Sequence, residues 1–354
     1  MTNPLDSILD VLRPLIEAES CNPPRRVTTD GPLIKAIRSA LPDFTIDVRD
    51  IDEGCLIIDC VRGAPRVMFN VHVDTVPVAD GWTHPPHALT LSDDRAFGLG
   101  TCDTKGAAGV LMALSQHTDK PMRMLFNTDE EAGKSRCIRT FLETVPDVDL
   151  AVVAEPTDTL VRLEHRGICS VHASFSGESA HASEGARRSA VHDAAKFITD
   201  ALGTGIAAEN RLNFGRIEGG VKPNMVAAHA DLLFGFRTAP GYAHTDVLDV
   251  LAALDTSPEM TTRFVGPSFP SDADGISSQA VAAAARYAKK LDLPIGDPVA
   301  FWTEASLFAA AGVPTFVLGA GSITQAHNAD EFVTYEQLTT LYHQYQDIVN
   351  SDGQ

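Results

Sequence analysis

The 354-residue chain has no Cys-x-x-Cys pair, no apolar run near the roughly 20 residues that cross a bilayer, and no internal repeat or low-complexity tract. Its cations are few: 28 Lys and Arg stand against 47 Asp and Glu, a formal net charge of −19. Each shortage excludes something. The acidic balance disfavours nucleic acid and anionic membrane surfaces as partners. The missing apolar run argues against a spanning helix. The opening Met1-Thr2-Asn3-Pro4-Leu5-Asp6 has neither a basic n-region nor an apolar h-region, so no signal peptide is expected. The six cysteines (Cys21, Cys55, Cys60, Cys102, Cys137, Cys169) are scattered and read as reduced thiols of a cytoplasmic protein. Cys102, although beside an acid, is expected to be a small buried filler.

What is present is an alternation of short apolar runs with amphipathic stretches. The length suits two domains, or one domain carrying an insertion. Helices are expected over 4–18, from after Thr28 to about 41, and over 104–117, with the rigid loop Asn22-Pro23-Pro24 between the first two. Strands are expected over 44–50, 55–61, 66–72, 121–127 and 150–154. The stretch 78–97 reads as turn-rich, and its His84 and His87 as exposed loop histidines. Strands alternating with helices indicate an α/β sheet, whose ligands collect beyond the carboxyl ends of the strands. From 167 the texture changes to the order βαββαβ: strand 168–176, helix 186–202, strands 211–218 and 229–238, helix 245–254, strand 261–266. That is the ferredoxin-like unit, read as a lid and dimerisation domain over 167–269, inserted into a catalytic domain made of 1–166 and 270–354. The chain then resumes with helix 277–290, strand 298–301, helix 304–311, strand 314–318 and a final helix over 335–350.

Chemistry-bearing residues fall at the ends of these strands. His72 closes the run 66–72, with Asp74 two residues on; Asp103 precedes the helix from about 104; Glu130 and Glu131 follow the strand to 127; Glu155 follows 150–154. A lone His-x-Asp is more often a surface or core histidine than a ligand. Five such groups on one rim favour a metal centre, and hard carboxylates with imidazole suit zinc, with cobalt or manganese as replacements.

The stretches His72-Val73-Asp74, Gly100-Thr101-Cys102-Asp103-Thr104-Lys105-Gly106, Asp129-Glu130-Glu131, Glu155-Pro156-Thr157 and Ala326-His327 resemble the family of dinuclear zinc amidohydrolases and exopeptidases that includes acetylornithine deacetylase and succinyl-diaminopimelate desuccinylase. Gly98-Leu99-Gly100-Thr101, Thr303-Glu304-Ala305 and the stretch from Leu318 to His327 look most like its acetylornithine and acetylcitrulline deacetylase branch; Phe301-Trp302-Thr303-Glu304-Ala305-Ser306 leans toward citrulline. The resemblance implies two divalent ions per subunit, bridged by Asp103. His72 and Glu155 would complete one site, Glu131 and His327 the other. Glu130 would be the general base and Asp74 the partner of His72. The Asp103–Thr104 peptide would be cis. His181 would reach the oxyanion, commonly across a homodimer, and Arg237 and Asn224 would hold the substrate carboxylate. Arg166 and Lys222 are further substrate-binding candidates, each with a solvated hinge or loop charge as its plain alternative. Glu304 would contact the substrate side chain or amine, or serve only as a helix N-terminal carboxylate. The implied reaction is hydrolysis of the acetamide of N2-acetyl-L-ornithine in arginine biosynthesis. The alternatives are N-acetyl-L-citrulline, succinyl-diaminopimelate, another acyl amino acid or a dipeptide. From other classes, an inactive metal- or amino-acid-binding homologue would not require Glu130, and a structural dimerisation protein would not require the converging acids and imidazoles.

Overall fold

The computed structural model describes residues 3–351 apart from 23, 25, 132 and 186. The middle of the Asn22-Pro23-Pro24 loop and the start expected for the lid's first helix therefore lie outside the described residues. The chain divides into two compact units, one of Met1–Leu163, Gln279–Pro298 and Thr303–Gln354, the other of Glu164–Ser278 and Val299–Trp302.

The first unit is built on a mixed sheet in the order Thr45–Asp50, Leu56–Arg62, Met122–Asn127, Val67–His72, Leu150–Val153, Thr315–Val317. The first two junctions are antiparallel and the remaining three parallel. Val67–His72 is buried along its whole length, as a central strand covered on both faces must be. Its burial therefore does not alternate. Helices Pro4–Glu17, Lys105–Ser115 and Tyr335–Asn350 pack on one another beside this sheet. Every residue of Lys105–Ser115 is buried, including Lys105, whose Nζ donates to Leu15 O at 2.9 Å and Ala18 O at 3.0 Å. Those carbonyls end the first helix, where backbone oxygens lack intrahelical donors and a cation is favoured.

Three expectations for this unit are corrected. Residues 298–301 form no strand; only Val299 bridges, to His165. Pro298 has no N–H to offer a ladder, and Val299–Trp302 belong to the other unit, where Trp302 Nε1 donates to Pro267 O at 3.1 Å. The stretch 78–97 is not only turns, for Thr90–Leu91 and Arg95–Phe97 pair with each other and with Phe332–Thr334 in a small sheet. Nor is His84 simply exposed: its ring stacks on Phe97 at 4.3 Å and Nδ1 lies 3.1 Å from Asp330 Oδ1. His87 is half-buried.

The second unit carries the antiparallel sheet Asn213–Gly219, His229–Phe236, Ile168–Ser176, Glu259–Gly266 with helices Ala190–Leu202 and His244–Ala252, which is the expected order βαββαβ. Ile168–Ser176 and His229–Phe236 alternate in burial because one face meets the helices, through Phe175, Phe197 and Phe234. The helix starts at Ala190 because the backbone before it is extended: Glu178 donates to Arg188 O at 2.8 Å and Ala190 to Ala227 O at 2.9 Å. All six cysteines are buried as thiols, and among the described residues no helix is long and apolar enough to cross a membrane.

Candidate metal centre

The sheet order explains why distant residues converge. Met122–Asn127, Val67–His72, Leu150–Val153 and Thr315–Val317 lie side by side and parallel, so their carboxyl ends open onto one rim. From that rim the chain continues into Glu130 and Glu131, ends in His72, continues into Glu155, and leads through 318–326 to His327. Asp103 arrives separately, at the start of helix Lys105–Ser115, across the cis Asp103–Thr104 peptide.

His72, Asp103 and Glu131 form a group whose ligand atoms all lie within 4.8 Å of one another. His72 Nε2 is 2.9 Å from Asp103 Oδ1, and His327 Nε2 is 3.1 Å from Glu131 Oε1 and 3.4 Å from Asp103 Oδ2. Asp103 thus faces one imidazole with each oxygen, the arrangement a bridging carboxylate requires. His72 Nδ1 lies 3.3 Å from the backbone carbonyl of Asp74 and 3.6 Å from its Oδ1. Donation from Nδ1 to that carbonyl leaves the Nε2 lone pair for a cation. Asp74 also holds the other side of the centre, since its Oδ2 accepts Glu131 N–H at 3.0 Å.

The electrostatics suit a divalent cation. Burial pushes the carboxyls of Glu130 and Glu155 well above their ordinary range, and neighbouring carboxylates add to this while His72 opposes it. Burial also resists ionisation of Asp103, yet His327 and His72 outweigh it and hold that carboxyl low. Asp103 and Glu131 lift His327 to about 10. Acids so crowded, with imidazoles drawn up as counter-charges, have the donor set of a site for hard or borderline ions.

Around the centre lie Glu331, Asn70 and Asn127, which local reading misses, and Glu304, which it names. Glu331 is buried and accepts the backbone N–H groups of Gly100, Cys102 and Asp103 at 3.0, 2.8 and 3.0 Å. Asn127 Nδ2 donates to both oxygens of Glu304 at 3.0 and 3.1 Å, while Asn70 Nδ2 donates to Asn127 Oδ1 at 3.0 Å. Glu304 is therefore a buried carboxyl, pushed up to about 8 by burial and then by Asp129, and it stands at the N-terminus of helix Ala305–Ala310. The only local signal for these residues was a polar side chain within an apolar run, as at Asn70 and Asn127.

The remaining candidates lie in the second unit. His181, in the short strand Ala180–His181, pairs with Met225, and Ala182 N donates to Asn224 O at 3.0 Å, so His181 and Asn224 are neighbours. Lys222 joins the same turn, its carbonyl accepting Met225 N–H at 3.1 Å. The exposed His181 ring meets Ser183 through Nδ1, 2.7 Å from its Oγ and 3.3 Å from its N–H. Arg166 Nη1 donates to Glu209 O at 2.8 Å and to Arg237 O at 3.1 Å, so it fastens backbone beside Arg237. Arg237 itself is exposed.

Imidazoles and carboxylates gathered at the ends of parallel strands, with a spare carboxyl among them, define a metal-dependent hydrolase. The chain belongs to peptidase family M20/M25/M40, whose model matches residues 68–351, and it is an amidohydrolase of that family. It is 40% identical over 367 residues to the N-acetyl-L-citrulline deacetylase of Xanthomonas campestris pv. campestris, covering 99% of each chain. It is 29% identical over 386 residues to the acetylornithine deacetylase of Salmonella heidelberg, covering 98% of this chain and 99% of the relative. Among solved structures, the aminopeptidase PepT of Bacillus cereus aligns over 98% of both chains, with a TM-score of 0.74 at 18% identity. The Bacillus subtilis YXEP protein, a dinuclear metal-binding peptidase of the M20 family, aligns over 98% of this chain and 97% of its own, with a TM-score of 0.64 at 15% identity. These two likenesses concern the fold.

Proposed function

We propose that this protein is an N-acetyl amino acid deacetylase and that N-acetyl-L-citrulline is its first substrate to test, ahead of N2-acetyl-L-ornithine. The observation that carries this reading is the 40% identity to a named citrulline derivative deacetylase over 99% of both chains. The lean of Phe301–Ser306 toward the citrulline side accords with it. The ornithine derivative stays in the comparison because of the 29% relative. The products, acetate and a free amino acid, would serve arginine formation in the cytoplasm.

His72, Asp103, Glu131, Glu155 and His327 would hold two divalent ions, zinc by the chemistry of the donor set, with cobalt or manganese able to replace it. Such ions, when bound, polarise the amide carbonyl and acidify water. The chain's own residues do the rest. Glu130, half-buried beside Glu155, Glu131 and Glu304, takes the proton of the attacking water and returns it to the departing nitrogen. His181 offers its Nε2–H to the oxyanion, and Arg237 and Asn224 receive the substrate carboxylate, the guanidinium through a two-pronged contact. We extend the proposal to a homodimer in which His181 serves the neighbouring subunit's centre.

The test is a panel of N-acetyl-citrulline, N2-acetyl-ornithine, N-succinyl-diaminopimelate and dipeptides, assayed by free-amine release with added zinc or cobalt. The reading expects kcat/KM for acetyl-citrulline to exceed that for acetyl-ornithine by at least about tenfold, a transition-state difference of about 1.4 kcal/mol. Turnover of dipeptides alone would overturn it.

A further inference from the structure

The segment from His327 to Glu331 ends in two adjacent carboxylates that grip different loops. Asp330 Oδ1 accepts the backbone N–H groups of Thr83 and His84 at 2.9 and 3.0 Å, and its Oδ2 accepts Thr83 Oγ1 at 2.6 Å. Glu331, 1% exposed, turns the other way: Oε1 takes Cys102 and Asp103 N–H, and Oε2 takes Gly100 N–H. Its backbone carbonyl also accepts Gly98 N–H at 3.0 Å. The turn at Gly98–Asp103 precedes a helix, and its amides point inward, where an unmatched donor is costly. A carboxylate, with two oxygens and about four lone pairs, can satisfy three such donors at once.

This geometry has a consequence for the centre. Asp103 is itself one of the three anchored residues, and His327 lies on the same segment as Glu331. His72 and Glu155 arrive from separate strands, Val67–His72 and Leu150–Val153. We propose that Glu331 is a positioning residue that ties the Asp103 turn to the His327 segment and so sets the separation of these two ligands, 3.4 Å between Nε2 and Oδ2. The anchoring stands on the hydrogen bonds alone; its consequence for metal binding rests on the proposed function.

The two parts are tested separately on Glu331→Ala and Glu331→Gln. In metal-free protein, amide hydrogen exchange should speed up at least tenfold at Gly100, Cys102 and Asp103 in Glu331→Ala, while the helix amides of Val110–Leu114 keep their protection. Unchanged exchange, or a uniform rise across the whole unit, would overturn the anchoring. In calorimetric and cobalt-absorption titrations, one of the two binding steps should weaken at least tenfold in Glu331→Ala, with the other changing less. Glu331→Gln keeps one oxygen for Cys102 and Asp103 but turns an amide NH2 toward Gly100, so it should fall between. Two steps as tight as wild type in Glu331→Ala would overturn the metal consequence. Failure of the wild type to bind divalent ions would sink the proposed function and, with it, the metal consequence, while the exchange experiment would still decide the anchoring. If Glu331→Ala does not fold, Glu331→Gln carries both measurements.

Discussion

Replacing Gly319 by Ala should injure the metal centre from behind. Gly319 lies at the start of the loop that leads to His327, pressed against the backbone of Glu155. A Cβ built there would stand 2.3 Å from Glu155 O, 2.9 Å from its N and 3.0 Å from its carbonyl carbon, whereas real Cβ contacts essentially never fall below 3.0 Å. The obstacle is backbone, so no side chain can swing away. The loop cannot easily retreat either, for Gly319 N donates to Thr157 Oγ1 at 3.0 Å and its carbonyl accepts Thr159 N–H at 2.9 Å. Relief must come from moving Glu155, or from breaking those bonds. Overpacking of this kind costs about 1–3 kcal/mol, which exceeds the roughly 0.4–1 kcal/mol gained when Ala replaces Gly and narrows the unfolded ensemble. At about 2–4 °C per kcal/mol for units of this size, Tm should fall by up to about 10 °C. A displacement of Glu155, a proposed ligand, by about 1 Å can lower turnover by about 10²-fold. Differential scanning calorimetry, metal titration and kcat/KM on purified Gly319→Ala measure all three. Gly205→Ala is the matched comparison: nothing lies within 4 Å of its Cβ position, at the first residue of a short helix, so Tm should hold or rise. A Gly319→Ala protein that melts at or above the wild-type temperature with unaltered metal affinity would refute the close-contact argument.

Three further outcomes are expected. Glu130→Ala should retain both ions in a metal-content assay yet lose turnover by about 10²-fold or more, since the proton carrier is gone, whereas Glu131→Ala should lower metal occupancy; near-normal kcat in a fully loaded Glu130→Ala would reverse the assignment. Lys105→Met should lower stability, because Leu15 O and Ala18 O lose a buried charged donor at about 1–3 kcal/mol each; urea unfolding with an unchanged midpoint would contradict this. Mixing His181→Ala with Glu130→Ala under subunit exchange should restore up to half the wild-type activity per heterodimer if His181 acts in trans, and a mixture that stays inactive would place it in cis.

The parts of the protein legible from sequence were those governed by short-range physics. A short apolar run, Val67-Met68-Phe69, leading to His72, and another delivering Glu155 within two residues of Val153, announce strands with chemistry at their ends, because burial on both faces favours apolar residues. The alternating pattern of Ile168–Ser176 likewise announces a sheet with one covered face. Resemblance to a family then named the candidate ligands, and it named the cis Asp103–Thr104 peptide that the fold displays. What needed the tertiary structure was every partnership across long stretches of chain. Glu331 reads in sequence as one more acid, and only folding brings it to amides some 230 residues earlier, where burial turns three donors into its obligation. Lys105 resembles a surface cation until the first helix presents its terminal carbonyls. The short strand Phe332–Thr334 exists only because Arg95–Phe97 offers it an edge, and Val299–Trp302 are grouped with the second unit, where only Val299 bridges, to His165. A hydrogen bond between distant residues leaves no periodic mark on the chain; its donor and acceptor are chosen by what the packed core leaves unsatisfied.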